Sequence, residues 1–193
     1  MAKFYLYLGC LLLLIFPSVG QSCTLTEEVS SPLTQTSLPA IRTEQKITGY
    51  IQKYYTKISA EDAVNIAQNI THYSQKQGLK PELVAALIAR ESSFNKFAVS
   101  RTGAKGLGQI KDFHFEKYQI QDPFNIEQNI RGMTALLGDL KSKWVGTDKE
   151  VEMILASYFN GLGATQRAKG QLPDKTWSYI EDIKNIAEQI ESI

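Results

Sequence analysis

The sequence predicts a mainly α single domain, and three observations carry that expectation. Apolar residues recur at three- and four-residue spacing in six separate stretches, no stretch alternates with the period of two that a strand requires, and no segment repeats. A chain of 193 residues with 43% hydrophobic and 21% charged residues has enough apolar mass for one core. Its 21 basic residues nearly balance 20 acidic ones, so net charge gives no ground for nucleic acid or anionic lipid as a partner.

In chain order, Lys3 precedes "FYLYLGCLLLLIF", an uncharged run followed by Pro17, Ser18 and Gly20. A basic start, a short apolar run and small residues at its end predict a secretory signal over residues 1–20, and the run is too short to span a bilayer comfortably. Export to the periplasm or cell envelope follows. Cys10 leaves with the signal, and Cys23 remains as an alternative lipid-anchor site, although the preceding "VGQS" fits a lipoprotein signal poorly. One remaining cysteine permits no internal disulfide, so the domain has to stand on its core.

Residues 21–45 open with "QSCTLTEEVSSPLTQTSLPAIRT", rich in Ser, Thr and Pro without an apolar period, which predicts a disordered tether. The domain is expected over 46–193. "ITGYIQKYYTKI" predicts a short amphipathic helix. Ser59 with Asp62 three residues on predicts the start of a second, carried by Ala63, Ile66, Ala67, Ile70 and Tyr73 and closed by Gly78. Pro81 suits a first helical turn, and "ELVAALIARE" continues it as a third helix. Between Phe94 and Phe124 the pattern is irregular. Ile126, Ile130, Met133, Leu137, Leu140 and Trp144 predict a fourth helix with one buried face, followed by helices near Lys149 to Tyr158 and Thr176 to Ile190.

The chemistry concentrates after the third helix. Val84, Leu87 and Ile88 share a face, and Glu91 falls at the next position of that face, four after Leu87 and three after Ile88. Desolvation and the negative end of the helix dipole both disfavour its anion, which suits a general acid. The bland alternative has Glu91 turned to solvent or paired with Arg90. Gly103, Gly106 and Gly108 then form a loop that admits close backbone approach, with Ser100 and Gln109 able to hydrogen-bond hydroxyl and amide groups. Neither a dinucleotide fingerprint nor a P-loop fits this spacing. His72 and His114 lie far apart without Cys or acidic partners at ligand spacing, so no metal is expected. The cluster Tyr50, Tyr54 and Tyr55 reads as helix packing before a sugar platform.

"ESSFNKFAVSRTGAKGLGQI" closely resembles the motif of lytic transglycosylases with a soluble-lytic-transglycosylase (SLT) type domain, and the resemblance continues through "DPFNIEQNI", "LASYFNGLGA" and "TWSYIEDI". It covers roughly 79–183. The resemblance implies a lysozyme-like fold, nominally α+β with minimal β, and cleavage of the β-1,4 bond between N-acetylmuramic acid and N-acetylglucosamine in peptidoglycan. It implies Glu91 as the catalytic acid and base, Gln109 and Tyr158 contacting sugar or positioning the acid, and Tyr179 near that acid. No cofactor is implied, and the expected partners are glycan strands met by a monomer, with an envelope-spanning apparatus as a guess at its setting. Four departures stand out, one of them Lys175 and Thr176 where the family usually has Glu-Thr. Gly108 replaces a Met, implying a missing wall of the sugar site. "YFNG" replaces Tyr-Asn-Ala-Gly, and Asp112 stands where the family tends to have Pro, as a second carboxylate or a solvated helix cap. A hydrolytic muramidase and a non-catalytic peptidoglycan-binding protein are the rival readings.

Overall fold

The computed structural model describes residues 38–193. The expected signal segment, Cys23 and the tether up to residue 37 lie outside the described residues. Seven α-helices are present among them: α1 (Leu38–Tyr54), α2 (Ala60–Lys76), α3 (Pro81–Ser92), α4 (Ile126–Trp144), α5 (Glu150–Asn160), α6 (Leu162–Ala168) and α7 (Asp174–Glu191). Strand content among the described residues is limited to isolated antiparallel bridges, Val99 with Lys105 and Lys105 with Ile110.

The central element is α3, which packs against α1, α2 and α7. Val84, Ala85, Ala86, Leu87, Ile88 and Ala89 are all buried, so this helix is apolar on every side along its middle, as a helix enclosed by others must be. Around it, α2 packs on α4, and α4 on α5. The predicted stripe of α4 is the buried one, with Ile126, Ile130, Met133, Leu137 and Leu140 facing inward. Ser59 caps α2 by accepting a hydrogen bond from the Asp62 amide at 3.1 Å, and Pro81 occupies the first turn of α3, where its missing N–H costs nothing.

One expectation is corrected, and one element was not foreseen. The helix predicted from Ile47 begins at Leu38, so the last part of the expected tether is helical. Pro39 sits in the first turn, where proline is tolerated, and Ala40 is buried, so the Ser, Thr and Pro content of the preceding stretch hid a helix start. The segment after "SYFN" also forms a short helix, α6, with Thr165 as its buried residue. Seven residues with one buried side chain leave almost no periodic signal.

Candidate active site

Glu91 occupies the last turn of α3 and is partly buried. The chain leaves the helix through two consecutive non-glycine residues of positive φ, Ser93 at 52° and Phe94 at 58°. That costly turn drives Phe94 into the core, where its ring meets Tyr55 edge-on at 5.0 Å. The end of α3 is therefore held on both sides, by its own buried face and by the Phe94 anchor. Tyr50 is buried and packs on Tyr54 and Tyr55 at 4.8 and 6.1 Å, which makes the tyrosine cluster part of this packing.

Desolvation pushes the Glu91 carboxyl above the usual carboxylate range, opposed by a hydrogen bond from Tyr179 and by the charge of Arg90. The Tyr179 hydroxyl donates to Glu91 Oε1 at 2.5 Å from the second turn of α7, 88 positions away in sequence. Arg90 does not pair with Glu91. Its guanidinium bonds Asp182 at 3.3 Å and lies over the Tyr179 ring at 5.5 Å. Burial, then the nearby Glu91 carboxylate, raises the Tyr179 phenol far above its ordinary range, and the same causes raise Tyr158. Both phenols therefore remain protonated donors. Phe159 stacks on Tyr179 with centroids 4.3 Å apart and planes 19° from parallel, completing a wall of rings beside the acid.

The glycine loop is pinned from above and below. The Tyr158 hydroxyl donates to the Gly108 carbonyl. On the other side, the fully enclosed Asn129 of α4 accepts from the Gly108 amide at 2.8 Å and donates to the Pro123 and Lys105 carbonyls at 2.8 and 3.2 Å. Gly106 must be glycine: a Cβ there would lie 2.2 Å from both Asn129 Nδ2 and the Pro123 oxygen, and φ is +74°. Sequence reading missed Asn129 although the signal was present, since a polar residue three after Ile126 and one before Ile130 falls on the buried stripe of α4.

The predicted residues divide by what they touch. Gln109, at φ 51°, donates through Nε2 to the Ala98 and Gly106 carbonyls at 3.1 and 2.9 Å, which leaves its amide oxygen free of those bonds. Ser100 is engaged inside the loop: its hydroxyl accepts from the Ala104 amide at 3.0 Å and lies 3.2 Å from the Thr102 hydroxyl. Asp112 is exposed and pairs with Lys105 at 3.0 Å. It begins a single 3-10 turn, Asp112–His114, rather than capping it, and Lys111 holds the cap position. The departure at Gly108 has a different meaning from the one expected. A Cβ on Gly108 would meet Met133 of α4 at 2.8 Å, so the volume is filled from the core side by a buried methionine.

A cavity of about 760 Å³ adjoins this cluster and shares Gln109, Tyr158 and Phe159 with it. Its other lining comes from the 3-10 turn, the segment just after it and the second half of α4, including Phe113, Lys117, Leu136 and Asp139. Asp139 is the one carboxylate of that lining among the described residues, and it is held by Lys117 at 2.6 Å and by the Tyr118 hydroxyl at 2.9 Å. Those bonds, above all the one from Lys117, hold its pKa below the ordinary range.

A helical domain that holds a desolvated carboxyl on a tyrosine hydroxyl, next to residues that line a concave surface, belongs to a recognisable class. The match to the Transglycosylase SLT domain, over residues 68–180, makes the chain a member of that family. Among curated relatives, it is 29% identical over 166 residues to the membrane-bound lytic murein transglycosylase F of Desulfosudis oleivorans, covering 74% of this chain and 36% of that protein. It is 32% identical over 126 residues to the membrane-bound lytic murein transglycosylase C of Pectobacterium atrosepticum, covering 57% and 35%. Of solved structures, an inactive mutant of the lytic transglycosylase Slt from Pseudomonas aeruginosa aligns with a TM-score of 0.58 at 19% identity, covering 79% of this chain and 30% of that one. The 70 kDa soluble lytic transglycosylase of Escherichia coli gives 0.57 at 15% identity, with 79% and 29% covered. These structures establish the lysozyme-like fold. The chain spans about a third of the length of the curated relatives it matches.

Proposed function

We propose that this domain is a peptidoglycan lytic transglycosylase, a lyase that cleaves the β-1,4 bond between N-acetylmuramic acid and N-acetylglucosamine and leaves a 1,6-anhydromuramic end. The observation that carries the reading is the desolvated carboxyl of Glu91, held by the Tyr179 hydroxyl and close to Tyr158, which lines the cavity. The relatives named lytic murein transglycosylases support the reaction class.

The steps follow from having one such acid. Glu91, whose pKa desolvation raises, donates its proton to the glycosidic oxygen as the bond to C1 breaks. The substrate's own 2-acetamido oxygen bonds to C1 and takes up the developing positive charge, the place a second protein carboxylate fills in most glycosidases. Glu91 is now an anion, stabilised by the Tyr179 hydroxyl. It removes the proton of the muramyl 6-hydroxyl, whose oxygen attacks C1 and displaces the acetamido group. The ring closes and Glu91 is again protonated. Tyr158 and Gln109 serve the same step by setting the glycine loop at the cavity wall, with the Gln109 amide oxygen turned to a sugar donor. Ser100 acts through the loop, whose turn it ties, and Tyr179 is a positioning residue.

A hydrolytic muramidase is disfavoured by the two other candidate acids. Asp112 is exposed and paired with Lys105, and Asp139 is half exposed and held at Oδ2 by both Lys117 and Tyr118. Mass spectrometry of muropeptides released from purified sacculi tests the reading. Anhydro ends, one water lighter than hydrated ends, are expected from wild type and from Asp112→Asn at nearly unchanged rate. Glu91→Gln, shown folded by circular dichroism, should release almost nothing. Hydrated ends, or an active Glu91→Gln variant, would refute it.

Placement in the envelope rests on the N-terminal pattern and on relatives described as membrane-bound. No helix among the described residues is long and apolar enough to cross a membrane. The exported protein should begin near Gln21, and its intact mass decides between plain cleavage and a diacylglycerol adduct on Cys23. The partners in this reading are glycan strands, met by a monomer that opens the wall locally for an envelope-spanning apparatus.

A further inference from the structure

Two departures from the family motif meet in space. Phe159 and Asn160 end α5 where the motif has Asn-Ala, and Lys175 stands in the first turn of α7 where it has Glu before the shared Thr176. The Lys175 ammonium lies over the Phe159 ring, 5.5 Å from its centroid, and the Asn160 amide donates to the Thr176 hydroxyl at 2.9 Å. Two neighbouring residues of α5 thus reach two neighbouring residues of α7 in register, bypassing α6 between them. Thr176 is buried, which fixes the far end of its bond. The charge at 175 also suits the ring at 159. An aromatic face carries the negative part of the ring quadrupole, which attracts an ammonium and repels a carboxylate, so a glutamate kept at 175 would oppose a phenylalanine at 159.

The contact leads to the acid. The other partner of Phe159 is the Tyr179 ring, stacked at 4.3 Å, which also lies under the Arg90 guanidinium at 5.5 Å. Rotation about the bond that carries an aromatic ring is soft, so the direction of a phenol hydroxyl is set by what packs on its ring. For Tyr179 that direction is the Glu91 carboxyl. The groups that bear on the charge of Glu91 are Arg90 on its own helix, Tyr158 of α5 and Tyr179 of α7, with Asp182 of α7 answering Arg90. Lys175 is exposed and meets the Phe159 ring. Resting on the proposed activity, we infer that Phe159 and Lys175 are positioning residues for Glu91: the ammonium orders the Phe159 ring, the ring orders Tyr179, and Tyr179 delivers its hydroxyl to the acid. The two departures are then one compensated change.

Two measurements on the full chain test this. The first is titration of the Glu91 carboxyl by carbon-13 NMR, with its signal identified by its loss in Glu91→Gln; the second is kcat and KM for solubilised glycan strands. The Tyr179 bond lowers the Glu91 pKa, so Phe159→Leu and Lys175→Glu should each move the titration to higher pH. Turnover should fall at least about fivefold in Phe159→Leu and at least about threefold in Lys175→Glu, with KM of the lysine variant within about twofold of wild type. Phe159→Tyr and Lys175→Arg keep the ring and the cation and should behave as wild type. In the Phe159→Leu background Lys175→Glu should change neither titration nor turnover, because the charge acts through the ring, whereas a direct field at the acid would persist. An unmoved titration in the single variants, or a persisting effect in the double variant, overturns the inference. Lys175 is exposed, so its variant decides the matter even where Phe159→Leu fails to fold. A wild-type protein that turns over no glycan overturns the transglycosylase reading instead, and the titration still shows whether the rings set the acid.

Discussion

Replacing Asn129 by alanine should loosen the site from behind, without touching any residue that meets substrate. The side chain is 1% exposed and makes three hydrogen bonds to the loop and its flank: from the Gly108 amide, and to the Pro123 and Lys105 carbonyls. The three losses are unequal. Lys105 keeps a second partner, the Ile110 amide at 3.0 Å, so its carbonyl suffers little. The Gly108 amide and the Pro123 carbonyl have no such reserve, and a buried polar group left unpaired costs about 1–3 kcal/mol. The sum is about 3 kcal/mol, which for a domain of this size lowers the melting temperature by about 6–12 °C. Activity should fall further than stability at assay temperature requires, because Gly108 also carries the carbonyl that Tyr158 grips and precedes Gln109. Asn129→Asp separates the parts. It keeps an acceptor for the Gly108 amide but sets a carboxylate against two carbonyls, so it should be at least as unstable as alanine at neutral pH and recover on acidification, when the protonated acid can donate again. Thermal and urea unfolding followed by circular dichroism, with sacculus clearing in parallel, provide the readout. An alanine variant within 1 kcal/mol of wild type, at full activity, would refute the pinning argument.

Further consequences concern the acid and its neighbours. Because the folded-state pKa of Glu91 is raised, the folded protein binds its proton more tightly than the unfolded chain, so this group's contribution to stability is fully present below the ordinary carboxylate pKa and lost as pH rises through the raised one. Glu91→Gln should therefore be more stable than wild type at neutral and alkaline pH, with the difference vanishing in acid; denaturation at several pH values checks it. Tyr179→Phe removes the bond that lowers the Glu91 pKa, so the alkaline limb of kcat/KM should move to higher pH while kcat falls, and an unmoved limb would count against the pairing. Gly108→Ala should cost about 1–3 kcal/mol through its collision with Met133, and much less in a Met133→Ala background, a coupling that a double-mutant cycle measures directly.

What the sequence determined by itself is the set of helices and the position of the acid. Periodicity is local information, and the α4 stripe, the Ser59 cap, the Pro81 start and the place of Glu91 beyond Leu87 and Ile88 are all legible within a few turns of one segment. The order of the four motif segments added the family. Elements without enough buried positions to set a period, such as α6 and the beginning of α1, escaped for the same reason that the others were visible. The tertiary structure decided everything that depends on residues meeting across helices. Tyr179 reaches Glu91 across 88 positions, Asn129 pins a loop 21 residues earlier, and Met133 fills the volume that Gly108 leaves. The same folding sets Lys175 over the Phe159 ring, although their spacing in sequence suggests nothing. Each of these pairings is fixed by how the helices cross, and the spacing of residues along the chain carries no record of which faces will be brought together.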